Sequence, residues 1–184
     1  MPGTRSPAAE GRLEVTLDEL RALAKPDGNG NHIFQGAYRQ MSVTLEEADL
    51  LYAIVRATQP SRVLELGTGL GLSARFIAEA LVANQHGRLV TVEPKAMFWP
   101  SAGDLLADLP ASIHAEALVD PTEVDLVFVD SGYEYRAADI REWLSNGYGG
   151  PVLVHDAERR YPELERGCGV FLASTSGLWI GRGA

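Results

Sequence analysis

The hydrophobic positions of the chain follow two alternating periods, and this alternation predicts an α/β fold. Segments with an apolar residue every three or four positions, typical of helices, separate short apolar runs that are typical of buried strands. The predicted helices are residues 16–25, 45–58, 70–84, 97–109 and 134–146. The predicted strands are residues 62–66, 87–93, 111–118, 124–130, 150–157, 169–174 and 178–182. Apolar strands that alternate with helices predict a mostly parallel sheet covered on both faces.

Local signals mark the ends of several elements. The pattern T-x-x-E at residues 16–19 and again at 44–47 is a capping box, which begins a helix. Residues 26–42 are rich in glycine and asparagine and have no period, so we expect a loop that forms a lid over the site. The last two predicted strands flank a turn at residues 175–177 and predict a C-terminal antiparallel hairpin.

Together these elements predict one Rossmann-like, doubly wound domain over residues 1–184. Residues 1–43 supply the N-terminal helix and the lid loop, and residues 44–184 form the core. The six residues 119–124, between the third and fourth predicted strands, are too few for a helix. One face of the sheet is therefore thinly covered, and we expect the N-terminal helix or a second subunit of a homodimer to cover it.

Composition and charge exclude several classes of function. The net charge of −9 disfavours extended contact with nucleic acid or an anionic membrane and favours a small-molecule ligand. No apolar run reaches the roughly 18 residues of a membrane helix, and the N-terminus lacks the apolar region of a signal peptide. The single Cys168 can form neither an internal disulfide nor a cysteine zinc cluster, which fits a cytoplasmic protein.

Polar residues end successive predicted strands. They are Glu65, Glu93, Glu116, Asp130, His155 and Asp156. In doubly wound sheets the ligand lies beyond the carboxyl ends of the strands, where the winding reverses. The sequence therefore predicts a ligand crevice lined mainly by carboxylates.

Three glycines, Gly67, Gly69 and Gly71, follow the first strand of the predicted core. Glycine there permits a tight turn and lets the backbone touch a ligand without an intervening Cβ. The dinucleotide pattern G-x-G-x-x-G fails, because Leu72 or Ala74 stands where its last glycine is needed. A tight turn that binds no ligand is the alternative.

The stretch "VLELGTGLGLS" at residues 63–73 resembles motif I of class I S-adenosylmethionine-dependent methyltransferases. Residues 40–73 are similar to the first helix and strand of the catechol-type small-molecule O-methyltransferases. Residues 125–144, with "GGPVLVHDAE" at 149–158, resemble a related, often bacterial group that reads D-G-x-H-x-Y and ends its fifth strand in H-D. The resemblance covers roughly residues 40–160 and implies the minimal form of the class I methyltransferase fold.

The resemblance implies which positions bind S-adenosylmethionine. They are Met41, Val43, Glu65, Gly67, Thr68, Gly69, Gly71, Ser73, Glu93, Pro94, Glu116, Ala117 and Asp130. In this assignment Ser73 binds the carboxylate of the cofactor and Glu65 meets its ammonium group. Glu93 accepts hydrogen bonds from both ribose hydroxyls, which suits the paired oxygens of a carboxylate. Residues 116–118 lie beside the adenine.

The resemblance also implies that Asp130, His155 and Asp156 lie beside the transferred methyl group. His155 is either the general base, since an unperturbed pKa of about 6.5 leaves neutral imidazole available, or a residue that orients the substrate. Asp130 and Asp156 either hold a divalent cation such as Mg²⁺, which would lower the pKa of the acceptor hydroxyl, or act without a metal. Ala157 and Tyr133 depart from the family pattern, because an amide metal ligand and a catalytic lysine or histidine are missing there.

The sequence thus predicts an S-adenosylmethionine-dependent methyltransferase that acts on a small molecule, with oxygen as the favoured acceptor atom. Two alternatives stay open. One is a nicotinamide-dependent Rossmann enzyme, which the glycine spacing disfavours. The other is a non-catalytic partner subunit that binds S-adenosylmethionine, which the two departures from the family pattern favour.

Overall fold

The computed structural model describes residues 15–38, 43–117, 119–157, 161–172 and 177–182. The helices are α1 (Leu17–Ala22), α2 (Leu45–Thr58), α3 (Leu72–Asn84), α4 (Trp99–Leu106) and α5 (Tyr133–Ser145). The strands are β1 (Ala24–Pro26), β2 (His32–Phe34), β3 (Arg62–Leu66), β4 (Arg88–Val92), β5 (Ala111–His114), β6 (Leu126–Val129), β7 (Val152–Val154), β8 (Cys168–Leu172) and β9 (Leu178–Arg182). Short 3₁₀ turns lie at Gly36–Tyr38, Ala96–Phe98, Pro121–Glu123 and Pro162–Arg166.

Seven of the strands form one sheet in the order β5-β4-β3-β6-β7-β9-β8. The strands from β3 to β7 pair in parallel, and β9 pairs antiparallel with both β7 and β8. The chain winds outward from β3 to β5 and then returns to place β6 beside β3. The winding therefore reverses between β3 and β6, and the predicted doubly wound fold with a C-terminal hairpin is confirmed.

Successive strand residues belong to two separate cores, one on each face of the sheet. Val63 and Phe128 pack with α2 and α3, whereas Leu64 and Val129 pack with Ile140 of α5. Side chains in a strand point alternately to opposite faces, so strands that are apolar at every position need cover on both faces. The continuous apolar runs of the sequence are explained by this arrangement.

Both predicted capping boxes are present. The Thr44 side chain accepts a hydrogen bond from the backbone N–H of Glu47, and the Glu47 side chain accepts one from the backbone N–H of Thr44. The pair Thr16 and Glu19 does the same for α1. Each box satisfies backbone donors that would otherwise lack partners at a helix start. The box at α2 also fixes Glu47, which is buried and lies close to the site described below.

The structure corrects the prediction for the N-terminal part. The helix predicted over residues 16–25 ends at Ala22, and residues 24–34 form a hairpin of β1 and β2 inside the stretch predicted as loop. The Asp27 carboxylate accepts hydrogen bonds from the backbone of Asn29 and Asn31 and so closes the turn. Phe34 is buried against the Phe76 ring, and this burial holds the short hairpin against the core.

Other predicted boundaries are also wrong, among them the strand predicted over residues 150–157, which runs only from Val152 to Val154. The third strand of the core ends at His114 and not at residue 118, so Glu116 follows the strand instead of ending it. The helix predicted over residues 97–109 runs from Trp99 to Leu106 after a 3₁₀ turn. Pro100 lies in its first turn, where a missing N–H costs no intrahelical hydrogen bond.

One sheet face is thinly covered in the described residues, as expected, but the N-terminal helix does not cover it, because Leu20 of α1 packs in the core of α2 and α3 on the opposite face. The link from β5 to β6 contains a single 3₁₀ turn in its described part, and a cavity of about 270 Å³ lies there against the sheet. Its lining residues are Arg62, Arg88, Val90, Ser112, His114 and Val119. No helix within the described ranges is both long enough and apolar enough to cross a membrane.

Candidate active site

A cavity of about 420 Å³ opens at the carboxyl ends of the parallel strands, where the winding reverses. Its lining residues from the loops after β3 and β4 are Gly67, Thr68, Gly69, Glu93, Pro94 and Lys95. Its lining residues after β6 and β7 are Asp130, Ser131, Gly132, His155 and Asp156. Polar groups from four neighbouring strand ends therefore meet in one crevice, as expected for a doubly wound sheet.

Two of the three glycines are required by the packing of the chain itself. Gly67 has a φ of 101°, and a Cβ there would lie 2.3 Å from the backbone oxygen of Asp130. Gly71 has a φ of 88°, and a Cβ there would lie 3.0 Å from Cα of Ala102 in α4. Any larger residue would force β3 away from β6, or α3 away from α4. The alternation of glycines thus has a structural cause, and Gly67 and Gly69 also line the cavity.

Glu93 is held in one orientation at the end of β4. One carboxylate oxygen accepts a hydrogen bond of 2.9 Å from the backbone N–H of Gly69, and the other accepts one of 2.9 Å from the backbone N–H of Lys95. The indole N–H of Trp99 donates to the backbone oxygen of Glu93 at 2.8 Å. The residue is only 6% exposed yet lines the cavity. Each oxygen keeps a lone pair, so the carboxylate can still accept from two hydroxyls of a ligand.

Glu65 lies beneath the glycine turn and is fully buried. Ser73 donates to one of its oxygens at 2.6 Å and Thr91 to the other at 2.5 Å, while the hydroxyls of Thr68 and Thr91 lie 2.6 Å apart. Burial raises the pKa of Glu65 to about 8, against the effect of the two hydroxyl donors, and the charges of Asp130 and Glu93 add to the rise. Glu65 is therefore mostly protonated at neutral pH, and Ser73 stands between it and the cavity.

A network of charged side chains occupies the other end of the crevice. Asp130 accepts hydrogen bonds of 2.8 Å from both His155 Nδ1 and the guanidinium of Arg136. The same guanidinium donates to Asp156 at 2.6 Å. On its far side His155 Nε2 lies 3.3 Å from a carboxylate oxygen of Glu47. Two cationic and three anionic side chains thus share one largely dry region.

Three of these five residues were predicted from the sequence. Asp130, His155 and Asp156 come together as expected, whereas Arg136 and Glu47 were missed. Glu47 carried a signal only for its capping box. Arg136 lies in the first turns of α5, and no feature of the sequence distinguishes it from an exposed helical arginine.

The residues around His155 change the pH at which it could act as the predicted general base. Burial alone lowers the pKa of the imidazole, but the charge of Asp130 and the hydrogen bonds with Asp130 and Glu47 raise it well above 6.5. The charged, doubly protonated form of the ring is therefore favoured, with a carboxylate at each nitrogen. That His155 is the base remains a prediction. It would be neutral, and so able to accept a proton, only at a pH well above the value of about 6.5 used in the sequence analysis.

The remaining predicted cofactor residues fall into three groups. Pro94 lines the cavity beside Glu93. Val43 is 2% exposed and packs in the core, and its neighbour Thr44 lines the cavity instead. Glu116 and Ala117 are exposed beyond the end of β5 and are not among the lining residues. Met41 lies outside the described residues.

Several lining residues were not predicted. They are Leu72, Lys95, Phe98, Tyr133 and Tyr135, besides the small residues of the β6–α5 loop, whereas Ile33 lies in the stretch 26–42 that was expected to cover the site. Tyr133 and Tyr135 are about half exposed, and the Tyr133 ring lies over the Arg136 guanidinium at 5.0 Å. Aromatic side chains therefore flank the charged end of the crevice.

The fold matches solved methyltransferase structures along most of the chain. The SAH-bound methyltransferase PaMTH1 of Podospora anserina is 15% identical, with a TM-score of 0.66 over 82% of this chain and 83% of that chain. The O-methyltransferase TomG of Streptomyces achromogenes, solved with SAM, is 24% identical, with a TM-score of 0.59 over 78% and 82%. An O-methyltransferase of Bacillus cereus, solved with SAH, is 19% identical, with a TM-score of 0.63 over 77% and 82%.

The comparison with curated proteins finds no match. The comparison with protein families finds one: residues 64–157, from the middle of β3 to the end of the H-D-A stretch after β7, match the family described as a methyltransferase domain. This range is just over half of the chain. It contains the glycine turn, Glu93 and four of the five residues of the charged network. The predicted family is thereby confirmed, and the chain belongs to the methyltransferase-domain family.

Proposed function

We propose that the protein transfers the methyl group of S-adenosylmethionine to an oxygen atom of a small acceptor. The observation that carries the proposal is the position of Glu93. Its carboxylate is fixed by two backbone amides at one end of a cavity whose other end holds Asp130, His155 and Asp156. β4 and β7 are three strand positions apart, which is roughly 14 Å at the usual spacing of strands. This span suits a nucleoside joined to a reacting group.

At the cofactor end, the chain offers a carboxylate for the ribose and a backbone turn for the amino-acid part. Glu93 would accept the paired ribose hydroxyls with the lone pairs that Gly69 and Lys95 leave free. Gly67 and Gly69 present backbone without a Cβ, so the chain of the methionine can lie close to the turn. Ser73 lines this part and connects it to Glu65.

At the acceptor end, the chain mainly provides position and charge. Methyl transfer is an in-line displacement, so its rate depends on holding the acceptor oxygen behind the methyl group. Asp130 and Asp156 line the cavity there, and each has an oxygen that does not appear in the contacts to Arg136. Either carboxylate could accept a hydrogen bond from the acceptor hydroxyl. The neutral form of His155 would receive the hydroxyl proton.

The oxygen acceptor is supported by the solved structures with the same fold. Two of those described above are O-methyltransferases, and one, TomG, is involved in tomaymycin synthesis. The exposed aromatic rings of Tyr133 and Tyr135 at the cavity favour an acceptor with a flat apolar body.

Calorimetry with S-adenosylmethionine and S-adenosylhomocysteine tests the cofactor, and a panel of phenolic and sugar acceptors tests the reaction. We expect saturable binding and transfer of the methyl group to an acceptor oxygen. Tight binding without turnover on any acceptor would favour the non-catalytic partner subunit. A spectral change with NADH, together with no binding of S-adenosylhomocysteine, would favour the nicotinamide enzyme.

We also propose that the partners are small molecules and not nucleic acid, because the chain carries a net charge of −9. The predicted homodimer has a candidate surface in β8. This strand ends the sheet, and all its residues, with Val170 and Phe171 among them, are exposed. An open edge strand can pair with a second copy of itself. Sedimentation of the wild type and of Phe171→Glu tests this, and an unchanged monomer in both would contradict it.

A further inference from the structure

We infer that the guanidinium of Arg136 is the resident cation of the charged network and occupies the place that a divalent metal ion would take between Asp130 and Asp156. The inference deepens the proposed function, and it rests on that function only in placing the acceptor at this end of the cavity. It makes the site independent of metal ions and Arg136 a positioning residue.

The first argument is the geometry of the ligand atoms. One atom each from Asp130, His155 and Asp156 lie within 4.8 Å of one another, which is a spacing that a metal ion could use. One oxygen of each carboxylate already accepts a hydrogen bond from Arg136, at 2.8 Å for Asp130 and 2.6 Å for Asp156. The guanidinium thus contacts both carboxylates at once, and its positive charge offsets the repulsion between them.

The second argument is that Arg136 cannot swing away at low cost. Its Nε donates to the backbone oxygen of Ser131 at 2.8 Å, and one terminal nitrogen also donates to the backbone oxygen of His155 at 3.2 Å. With the two carboxylates, four hydrogen bonds fix a side chain that is 3% exposed as a residue. Displacing it would leave a buried charge and two backbone acceptors without partners.

The third argument is electrostatic. A divalent ion bound to Asp130 and Asp156 would lie beside a guanidinium that is held by the same two groups. Like charges at such a distance repel strongly in a largely dry region. The pair Asp130 and Asp156 therefore does not fit a metal ion while Arg136 is in place.

What Arg136 supplies is position. It holds Asp130, and Asp130 in turn holds Nδ1 of His155 at 2.8 Å. It also holds the carboxylate of Asp156, whose backbone has a left-handed φ of 54° that a free chain seldom adopts. Arg136 therefore fixes the orientation of both carboxylates relative to the acceptor.

The test is a Mn²⁺ titration followed by electron paramagnetic resonance on the full chain, which needs neither cofactor nor acceptor. We expect the wild type, Asp130→Asn and Asp156→Asn to give the same weak, non-saturating binding. One tightly bound Mn²⁺ per wild-type chain that is lost in either variant would overturn the inference. The wild-type comparison decides even if a variant of Arg136 fails to fold.

Arg136→Met supplies the matched gain of function. It keeps the apolar stem and removes the cation, so the freed carboxylates and His155 should now bind one Mn²⁺ per chain. Arg136→Lys keeps a positive charge and should not. A folded Arg136→Met variant that binds no Mn²⁺ would show that Arg136 does not occupy a metal site.

Turnover gives a second readout. Wild-type activity should be the same with and without EDTA, and Arg136→Lys should lower kcat by about tenfold or more, because it loses the fork that aligns both carboxylates, with the affinity for S-adenosylhomocysteine unchanged. Activity that EDTA abolishes and Mg²⁺ restores would overturn the inference. Failure of the proposed function would show differently, as absence of S-adenosylhomocysteine binding in the wild type.

Discussion

The carboxylate of Glu93 accepts a hydrogen bond of 2.9 Å from the backbone N–H of Gly69, and this contact ties the end of β4 to the glycine turn after β3. The two groups are 24 positions apart in the chain. The bond fixes the direction of a carboxylate that lines the cavity. The glycine turn therefore does two things. It permits close packing against the Asp130 backbone, and it exposes the N–H of Gly69 to the carboxylate of Glu93.

We predict that Glu93→Gln weakens the binding of S-adenosylhomocysteine by about 1–3 kcal/mol, because buried hydroxyls of the ligand would lose a charged acceptor. Calorimetry measures the change. Asp108→Asn is the matched control, since this exposed carboxylate lies outside the cavity, and its affinity should equal that of the wild type. Wild-type affinity in Glu93→Gln would remove Glu93 from the proposed ribose site.

We predict that cofactor binding releases a proton from Glu65. The pKa of this buried carboxyl is about 8 in the free protein, and the cationic groups of S-adenosylmethionine would favour its ionised form. Affinity should therefore rise with pH, by at most about tenfold per unit, and level off above a pH of about 8. Calorimetry in buffers of different ionisation enthalpy measures the released proton.

Glu65→Gln is the control for this prediction, because it keeps acceptors and donors for Ser73 and Thr91 and cannot ionise. Its affinity should not change with pH. The same shift has a sign for stability: the folded pKa lies above the ordinary 4.5, so the contribution of Glu65 is full below about 4.5 and is lost as pH rises through about 8. A cofactor affinity that is flat in pH in the wild type would contradict electrostatic coupling between the cofactor and Glu65 across Ser73.

We predict opposite effects for two glycine-to-alanine substitutions. Gly67→Ala should lower the free energy of unfolding by more than about 2 kcal/mol, because its Cβ would lie 2.3 Å from the Asp130 backbone oxygen at a positive φ. Gly103→Ala should raise it by about 0.5–1 kcal/mol, since Gly103 is helical with open space around it. Urea denaturation measures both. A Gly67→Ala variant as stable as the wild type would show that the close approach of the Asp130 backbone does not constrain this position.

We predict that activity rises with pH through a midpoint well above 6.5 if His155 takes the acceptor proton. The neighbouring carboxylates hold the imidazole in its charged form at neutral pH, and only the neutral form can accept a proton. The pH dependence of kcat/KM measures the midpoint. His155→Gln should lose the rise. A rise that persists in that variant would assign the base to another group.

Local sequence determined the elements and their order. The period of the apolar positions identified the strands β3 to β7 and the helices between them, because a side chain in a strand or helix meets its face at a fixed interval. Capping boxes fixed the starts of α1 and α2 in the same way, through contacts over three residues. The polar ends of the strands predicted the crevice, since parallel strands end on one edge. The family resemblance rested on these same short stretches and was confirmed.

Tertiary structure decided what the site residues contact. Glu47 and His155 lie 108 positions apart and meet only after α2 packs beside the sheet. Arg136 of α5 contacts Asp130 and Asp156. The spacing of residues along α5 does not show that this side chain would meet two carboxylates. Burial then changes the chemistry of both titrating groups, because the pKa of Glu65 and that of His155 depend on how much water and which charges surround them. The type and order of the helices and strands follow from short stretches of the chain. The pKa values and ion pairs of the site residues depend on neighbours that only the folded molecule brings together.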